Sequence, residues 1–150
     1  MTPRPKESQS VEKLSFDTDA GVGHRARIGL LVLQTDQTLE AELANLTAID
    51  GVALYHARLA NDALVTPETL VRMAQELPHA AELISPSLGL SAIGYACTSG
   101  STIIGEARVT QILARIHPGV PSSNPLTAAK AAFTALGVSR VGLVTPYTPD

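Results

Sequence analysis

Arg27-Ile28-Gly29-Leu30-Leu31-Val32-Leu33-Gln34 is an almost unbroken apolar run with polar sequence on both sides. A strand with one wet face alternates apolar and polar side chains. A run that is apolar at nearly every position needs cover on both faces, the signature of a strand inside a parallel sheet. Working outward, Gln37–Ala48 places Leu39, Leu43 and Leu46 on one helical stripe, and Val52–Arg58 (VALYHAR) reads as a second strand. Thr66-Pro67 has the form of an N-cap followed by proline at the first helical position. The helix it opens carries Leu70, Ala74 and Leu77 on one face. Pro78, Pro86 and Gly89 are expected to interrupt the chain around Ala80–Ile84, a segment left unassigned, before a third strand at Ser91–Ala96. A helix starting at Ser99 or Gly100 aligns Gly105, Val109, Ile112, Leu113 and Ile116, and Pro118-Gly119 ends it. Asn124-Pro125 opens a further helix with Leu126, Ala129, Phe133 and Leu136 on its stripe. Gly137 stops it, and Arg140–Thr145 (RVGLVT) reads as a fourth strand. Strands alternating with amphipathic helices give the fold class: α/β, a parallel sheet with helices on both faces.

The rest of the chain fits around that frame. Residues 1–26 are polar and read as a mobile tail, residues 27–123 as a first α/β domain, and residues 124–150 as the start of a second α/β half that is cut short. The 150 residues are 45% apolar and 17% charged, with a net charge of −3, which excludes a disordered chain. Only five aromatic residues (three Tyr, two Phe) and no basic excess argue against nucleic acid as a partner. A single cysteine cannot build an internal disulfide framework, and no apolar run is long enough for a membrane span, so no membrane partner is expected. These features together point to a cytoplasmic protein, and a homo-oligomer is compatible with them.

Ligands of open parallel sheets bind outside the carboxyl ends of the strands. The polar residues expected there are Thr35-Asp36, Asn61-Asp62, Cys97-Thr98-Ser99-Gly100-Ser101 and Thr145-Pro146-Tyr147. Tyr95-Ala96-Cys97-Thr98-Ser99-Gly100-Ser101 is the strongest of these signals, because it sets the one thiol between a buried strand and a helix start. Free backbone N–H groups there favour an anionic sulfur and a bound carboxylate. Thr98, Ser99 and Ser101 add hydroxyl groups, and Gly100 would let a ligand approach the backbone closely. The plainer reading is a small buried cysteine before an ordinary helix cap. Asp36 likewise reads either as the cap of the next helix or as a ligand contact, and the two are compatible. His56 and Arg58 fall on the same side of their strand and are read as packing or ion-pairing residues. No Cys/His spacing suggests zinc, so no metal is expected. Gly21-Val22-Gly23-His24-Arg25-Ala26 mimics a dinucleotide fingerprint, but it precedes its strand instead of following one, and is rejected.

Three stretches carry a family likeness. They are Ile28-Gly29-Leu30-Leu31-Val32, the run Ala92-Ile93-Gly94-Tyr95-Ala96-Cys97-Thr98-Ser99-Gly100-Ser101, and Ala135-Leu136-Gly137-Val138-Ser139-Arg140-Val141-Gly142-Leu143-Val144-Thr145-Pro146-Tyr147. Together they resemble the aspartate/glutamate racemase superfamily, in its maleate cis-trans isomerase and arylmalonate decarboxylase branch. Leu33–Glu40 and Asn124–Ala128 are similar to the ectoine-utilization proteins of that branch. The resemblance implies two Rossmann- or flavodoxin-like halves around a cleft and cofactor-independent chemistry on a small-molecule carboxylate substrate. By position it makes Cys97 the first-half cysteine, a nucleophile or base. Thr98 and Ser99 become the residues that hold a carboxylate, and Tyr147 the tyrosine that closes over it. The partner cysteine would then lie beyond Asp150.

Maleate isomerases have an asparagine after their first strand where this chain has Asp36. An acid there would repel a second substrate carboxylate, which suits an amine- or amidine-bearing ligand better. Two functional classes therefore stand side by side. One is an isomerase- or racemase-like enzyme of ectoine or hydroxyectoine catabolism. The other is a non-catalytic carboxylate-binding or accessory protein of the same pathway. A redox-sensing thiol is a third, and it requires an exposed Cys97.

Overall fold

A computed structural model describes residues 11–62 and 64–145. Four strands, β1 (Ala26–Leu33), β2 (Val52–Leu59), β3 (Ala92–Tyr95) and β4 (Ser122–Ser123), lie side by side in the order β2-β1-β3-β4. Every pairing is parallel. Five helices link them: α1 (Leu39–Leu46), α2 (Pro67–Leu83), α3 (Thr98–Ile104), α4 (Glu106–Ile116) and α5 (Pro125–Leu136). The α/β fold with an all-parallel sheet is thus the one the run at residues 27–34 dictates. The chain steps from β1 outward to β2, then crosses back over β1 to β3. That reversal makes the carboxyl edge between β1 and β3 the place where loops diverge and a crevice opens.

The main core lies on one sheet face. Leu31, Ala57, Leu59, Ile93 and Tyr95 point into it and meet Leu70, Met73, Leu77, Ala80 and Ala81 of α2 and Val109, Ile112 and Leu113 of α4. Leu30 and Val32 alternate to the other face and are also buried, so β1 is covered on both sides as its sequence requires. His56 and Arg58 share that second face, where both meet Glu40 of α1, at 3.4 Å and 2.9 Å. The buried His117 ring donates from Nε2 to the Ala81 carbonyl at 3.0 Å, which fixes the end of α4 against α2. Thr66 and Asn124 are N-caps, each within a reciprocal capping box and each followed by proline.

Three local expectations are corrected. Arg140–Thr145 is not a strand: residues 138–145 run irregularly after α5, with Val141 57%, Leu143 82% and Val144 99% exposed. The run is apolar enough for a buried strand, but the sheet edge beside β3 is taken by Ser122–Ser123, a pair with no strand periodicity of its own. Pro78 does not end its helix, and Ala80–Leu83 continues α2. Burial of Leu77, Ala80 and Ala81 outweighs the backbone hydrogen bond that the proline removes. Finally, the single helix expected after the third strand is two, because Gly105 adopts φ +89° and interrupts the ladder between α3 and α4. Among the described residues, no helix is long and apolar enough to cross a membrane.

Candidate functional site

The loops that leave β1 and β3 build the site. The Ala96 N–H donates to the Leu31 carbonyl at 2.9 Å, so the sheet ladder continues to the residue before Cys97. Cys97 is extended (φ −140°, ψ 114°) and is the N-cap of α3. Its sulfur accepts the Gly100 N–H at 3.2 Å and lies 3.7 Å from the Ser99 hydroxyl. Its carbonyl accepts both the N–H and the hydroxyl of Ser101, at 3.0 Å and 2.6 Å. Ser101 is therefore spent on holding the turn and is fully buried.

The N–H groups of Thr98 and Ser99 open α3 and have no carbonyl of their own helix to donate to. A small carboxylate can be received there, beside the sulfur. Thr98 is exposed and Ser99 half-buried, so both stand at the rim. Cys97 itself is only 5% exposed. That burial argues against the redox-sensor reading, which needs a freely exposed thiol.

Beneath the turn stands Tyr95, 1% exposed, whose hydroxyl donates to Met73 Sδ at 3.2 Å. Burial first, and the neighbouring Cys97 second, push its hydroxyl well above the ordinary phenol range. It stays protonated and serves as a donor. Gly100 is corrected by the same geometry. A β-carbon there would meet the Tyr95 hydroxyl at 2.2 Å, so the tyrosine takes the space that the sequence suggests for a ligand.

The loop after β1 leaves the neighbouring strand at the same sheet edge. Asp36 Oδ1 accepts the N–H groups of Thr38 and Leu39 at 2.9 Å and 2.8 Å. One of its oxygens is thereby spent on the turn that leads into α1, whose N-cap position is Thr38. The bonds from Leu39 and Thr38, helped by the nearby Arg58 charge, hold its carboxyl below the ordinary aspartate value against a small opposing effect of burial. Asp36 is an anion throughout the neutral range.

Two residues of the β2 edge hold this loop in place. Arg58 Nη1 donates to the carbonyls of Gln34 and Asp36 at 3.0 Å and 2.9 Å. Asn61 exchanges hydrogen bonds with Thr35, its Nδ2 donating to Oγ1 at 3.0 Å and its Oδ1 accepting from the backbone N–H at 3.2 Å. Sequence reasoning missed Arg58 in this role. Only the register Val32↔Arg58, known once strands are paired, brings it under the Gln34–Asp36 carbonyls.

Tyr147 lies outside the described residues. The structure thus brings Cys97, Thr98 and Ser99 to one loop and Asp36 to the loop of the adjacent strand. A cleft of about 290 Å³ opens at the end of β2, lined by Asn61, Asp62, Arg72, Met73 and Glu76 among others. Among the described residues, no three His, Cys, Asp or Glu side chains gather closely enough to hold a metal ion.

No family model matches this chain, and no curated protein matches it. Solved structures do resemble it. The maleate isomerase Iso from Pseudomonas putida S16 is 24% identical, with a TM-score of 0.66 over 82% of this chain and 54% of that one. A variant of the same enzyme solved with maleate gives the same values. The Nocardia farcinica maleate cis-trans isomerase bound to TRIS is 26% identical, with a TM-score of 0.67 over 82% of this chain and 53% of that one. The chain spans about half the length of these structures, and the likeness establishes its fold.

Proposed function

We propose that this chain forms one wall of a cofactor-independent isomerase- or racemase-like site that acts on a small carboxylate, with Cys97 as nucleophile or base. One observation carries the reading. In a chain folded like the maleate isomerases, the single thiol sits at the β1/β3 divergence, its sulfur already accepting a backbone N–H, next to two further N–H groups free of helix partners. On an unsaturated substrate, the Cys97 thiolate would add to one alkene carbon while the electron pair moves toward the carboxylate held at Thr98 and Ser99. Rotation about the former double bond, now single, and expulsion of the sulfur with the C–S electron pair as the alkene re-forms would return the trans alkene and the thiolate. On a saturated substrate, the same sulfur would take the proton beside the carboxylate.

The substrate follows from Asp36. A fixed anion in the neighbouring loop disfavours a second carboxylate and favours an amine or amidine. This supports placing the chain in ectoine or hydroxyectoine catabolism, with the sequence likeness at Leu33–Glu40 and Asn124–Ala128 as the other support. Binding calorimetry with maleate and with ectoine-derived amino carboxylates, on wild type and Asp36→Asn, tests the assignment. Neutralising Asp36 is expected to tighten maleate and weaken the amine-bearing ligand, each by about threefold to tenfold, for a charge at contact distance near a protein surface. Unchanged affinities for both would show that Asp36 only holds the turn into α1 and does not select the ligand.

The second reading, a carboxylate-binding accessory protein, is favoured by one fact. Acid and base on opposite faces of a substrate need two groups, and this chain has one cysteine. Retained ligand binding without turnover in wild type would decide for it.

A further inference from the structure

Arg58 has two carboxylates to choose from. Its Nη1 donates to the backbone carbonyls of Gln34 and Asp36 at 3.0 Å and 2.9 Å, so the guanidinium already stands at Asp36. Its ion pair is nevertheless with Glu40, Nη2 to Oε2 at 2.9 Å. Among the described residues the Asp36 carboxylate takes part in no ion pair, and its Oδ2 accepts no hydrogen bond. We propose that Glu40 is a positioning residue of the candidate site: by holding the Arg58 guanidinium, it keeps the Asp36 carboxylate unpaired and available to a cationic group of the ligand. The inference rests on the reading of Asp36 as the residue that selects the ligand.

The choice Arg58 makes follows from what each carboxylate already has. Asp36 Oδ1 accepts the N–H groups of Thr38 and Leu39, and hydrogen bonds of that kind stabilise a carboxylate without any cation. Glu40 has no such support among the described residues. Its Oε1 is shut off from solvent with no hydrogen-bond partner, and the nearest cationic group to it is the His56 ring, with Nε2 at 3.4 Å. A carboxylate with a desolvated, unsatisfied oxygen draws a cation more strongly than one whose bonds are made. Glu40 can compete because the first turn of α1 sets it across from β2, where it meets His56 and Arg58 together.

Removing Glu40 leaves Arg58 Nη2 without its partner. The acid on the residue whose carbonyl Nη1 already holds is Asp36, and guanidinium and carboxylate match in a planar, two-point pair. That pair would cancel the charge that the loop after β1 offers a ligand. Glu40 thus acts through Arg58, and it touches no reacting atom.

Crystal structures of wild type and Glu40→Ala read the guanidinium directly. In the variant, Arg58 Nη2 is expected within about 4 Å of Asp36 Oδ2, the limit of an ion pair. An Nη2 that stays clear of Asp36 in Glu40→Ala would overturn the proposal. Calorimetry of the full chain with ectoine and with maleate reads the consequence. Glu40→Ala is expected to weaken ectoine and tighten maleate, each by about threefold. Loss of the Glu40 charge acts in the same direction by itself, so the change is repeated in Arg58→Gln, where it is expected to fall to less than half. Equal effects with and without Arg58, or an effect that persists in Asp36→Asn, would also overturn the proposal. If Arg58 moves onto Asp36 while both affinities hold, the hold of Glu40 on Arg58 stands and the reading of Asp36 as ligand selector fails. Thermal melts establish that each variant is folded, and the structure of Glu40→Ala decides the matter even if Arg58→Gln melts early.

Discussion

Cys97→Ser is expected to lose about 10²- to 10⁴-fold in turnover of a small carboxylate, the range associated with removing a positioned acid–base or nucleophilic group. Binding of the same carboxylate is expected to change by less than a few-fold. The two expectations separate because different atoms carry them. In the proposed site the carboxylate is received by the Thr98 and Ser99 N–H groups, which the substitution leaves in place. In the proposed mechanism the reacting atom is the sulfur, and a serine hydroxyl is a far weaker nucleophile and base than a thiol. Serine Oγ can still accept the Gly100 N–H that Sγ accepts at 3.2 Å, so the turn into α3 should persist. Steady-state kinetics beside calorimetry on the two proteins checks this. Retention of both turnover and binding would remove Cys97 from the chemistry.

Gly100→Ala is expected to destabilise the protein by about 2–3 kcal/mol, a fall in Tm of about 5–10 °C. In an open helix the same change would stabilise by up to about 1 kcal/mol, because alanine is the better helix former. Here the clash wins. The new methyl group would lie 2.2 Å from the Tyr95 hydroxyl, 3.0 Å from Cys97 Sγ and 3.1 Å from the Tyr95 ring. None of these is the loose end of a flexible chain, since Tyr95 is packed in the core and Cys97 begins α3. The first turn of α3 must therefore lift, and Cys97 moves with it. Combining Gly100→Ala with Tyr95→Phe removes the nearest atom and should restore part of the lost stability. A Gly100→Ala protein that melts with wild type would show that the phenol yields freely.

What the sequence discloses and what it hides divide along physical lines. Burial of β1 on both faces is written into Arg27–Gln34, and the caps at Thr66 and Asn124 are local chemistry that a reader can find residue by residue. The loop carrying Cys97, Thr98 and Ser99 is legible for the same reason: a strand, a polar turn and a helix start follow one another in the chain. Hidden features depend on partners distant in sequence. β4 is two serines that become a strand only because β3 lies beside them. The apolar run Arg140–Thr145 has strand composition without a place in the sheet. Tyr95 reads as an ordinary strand residue until Met73, 22 positions earlier, is brought against its hydroxyl. Gly100 reads as room for a ligand until that tyrosine is seen to fill it. Arg58 reads as a charge on a strand until the register sets it under the carbonyls of Gln34 and Asp36.

The central claim is that a small carboxylate binds against the sulfur of Cys97. Its most direct test is the rate at which a small alkylating agent modifies Cys97, with and without maleate or an amine-bearing carboxylate at ten times its dissociation constant. A ligand seated on the Thr98 and Ser99 N–H groups covers the sulfur, so the rate should fall about tenfold and saturate with the ligand's own affinity. An alkylation rate that stays the same while the carboxylate is bound would place the ligand elsewhere and contradict the account.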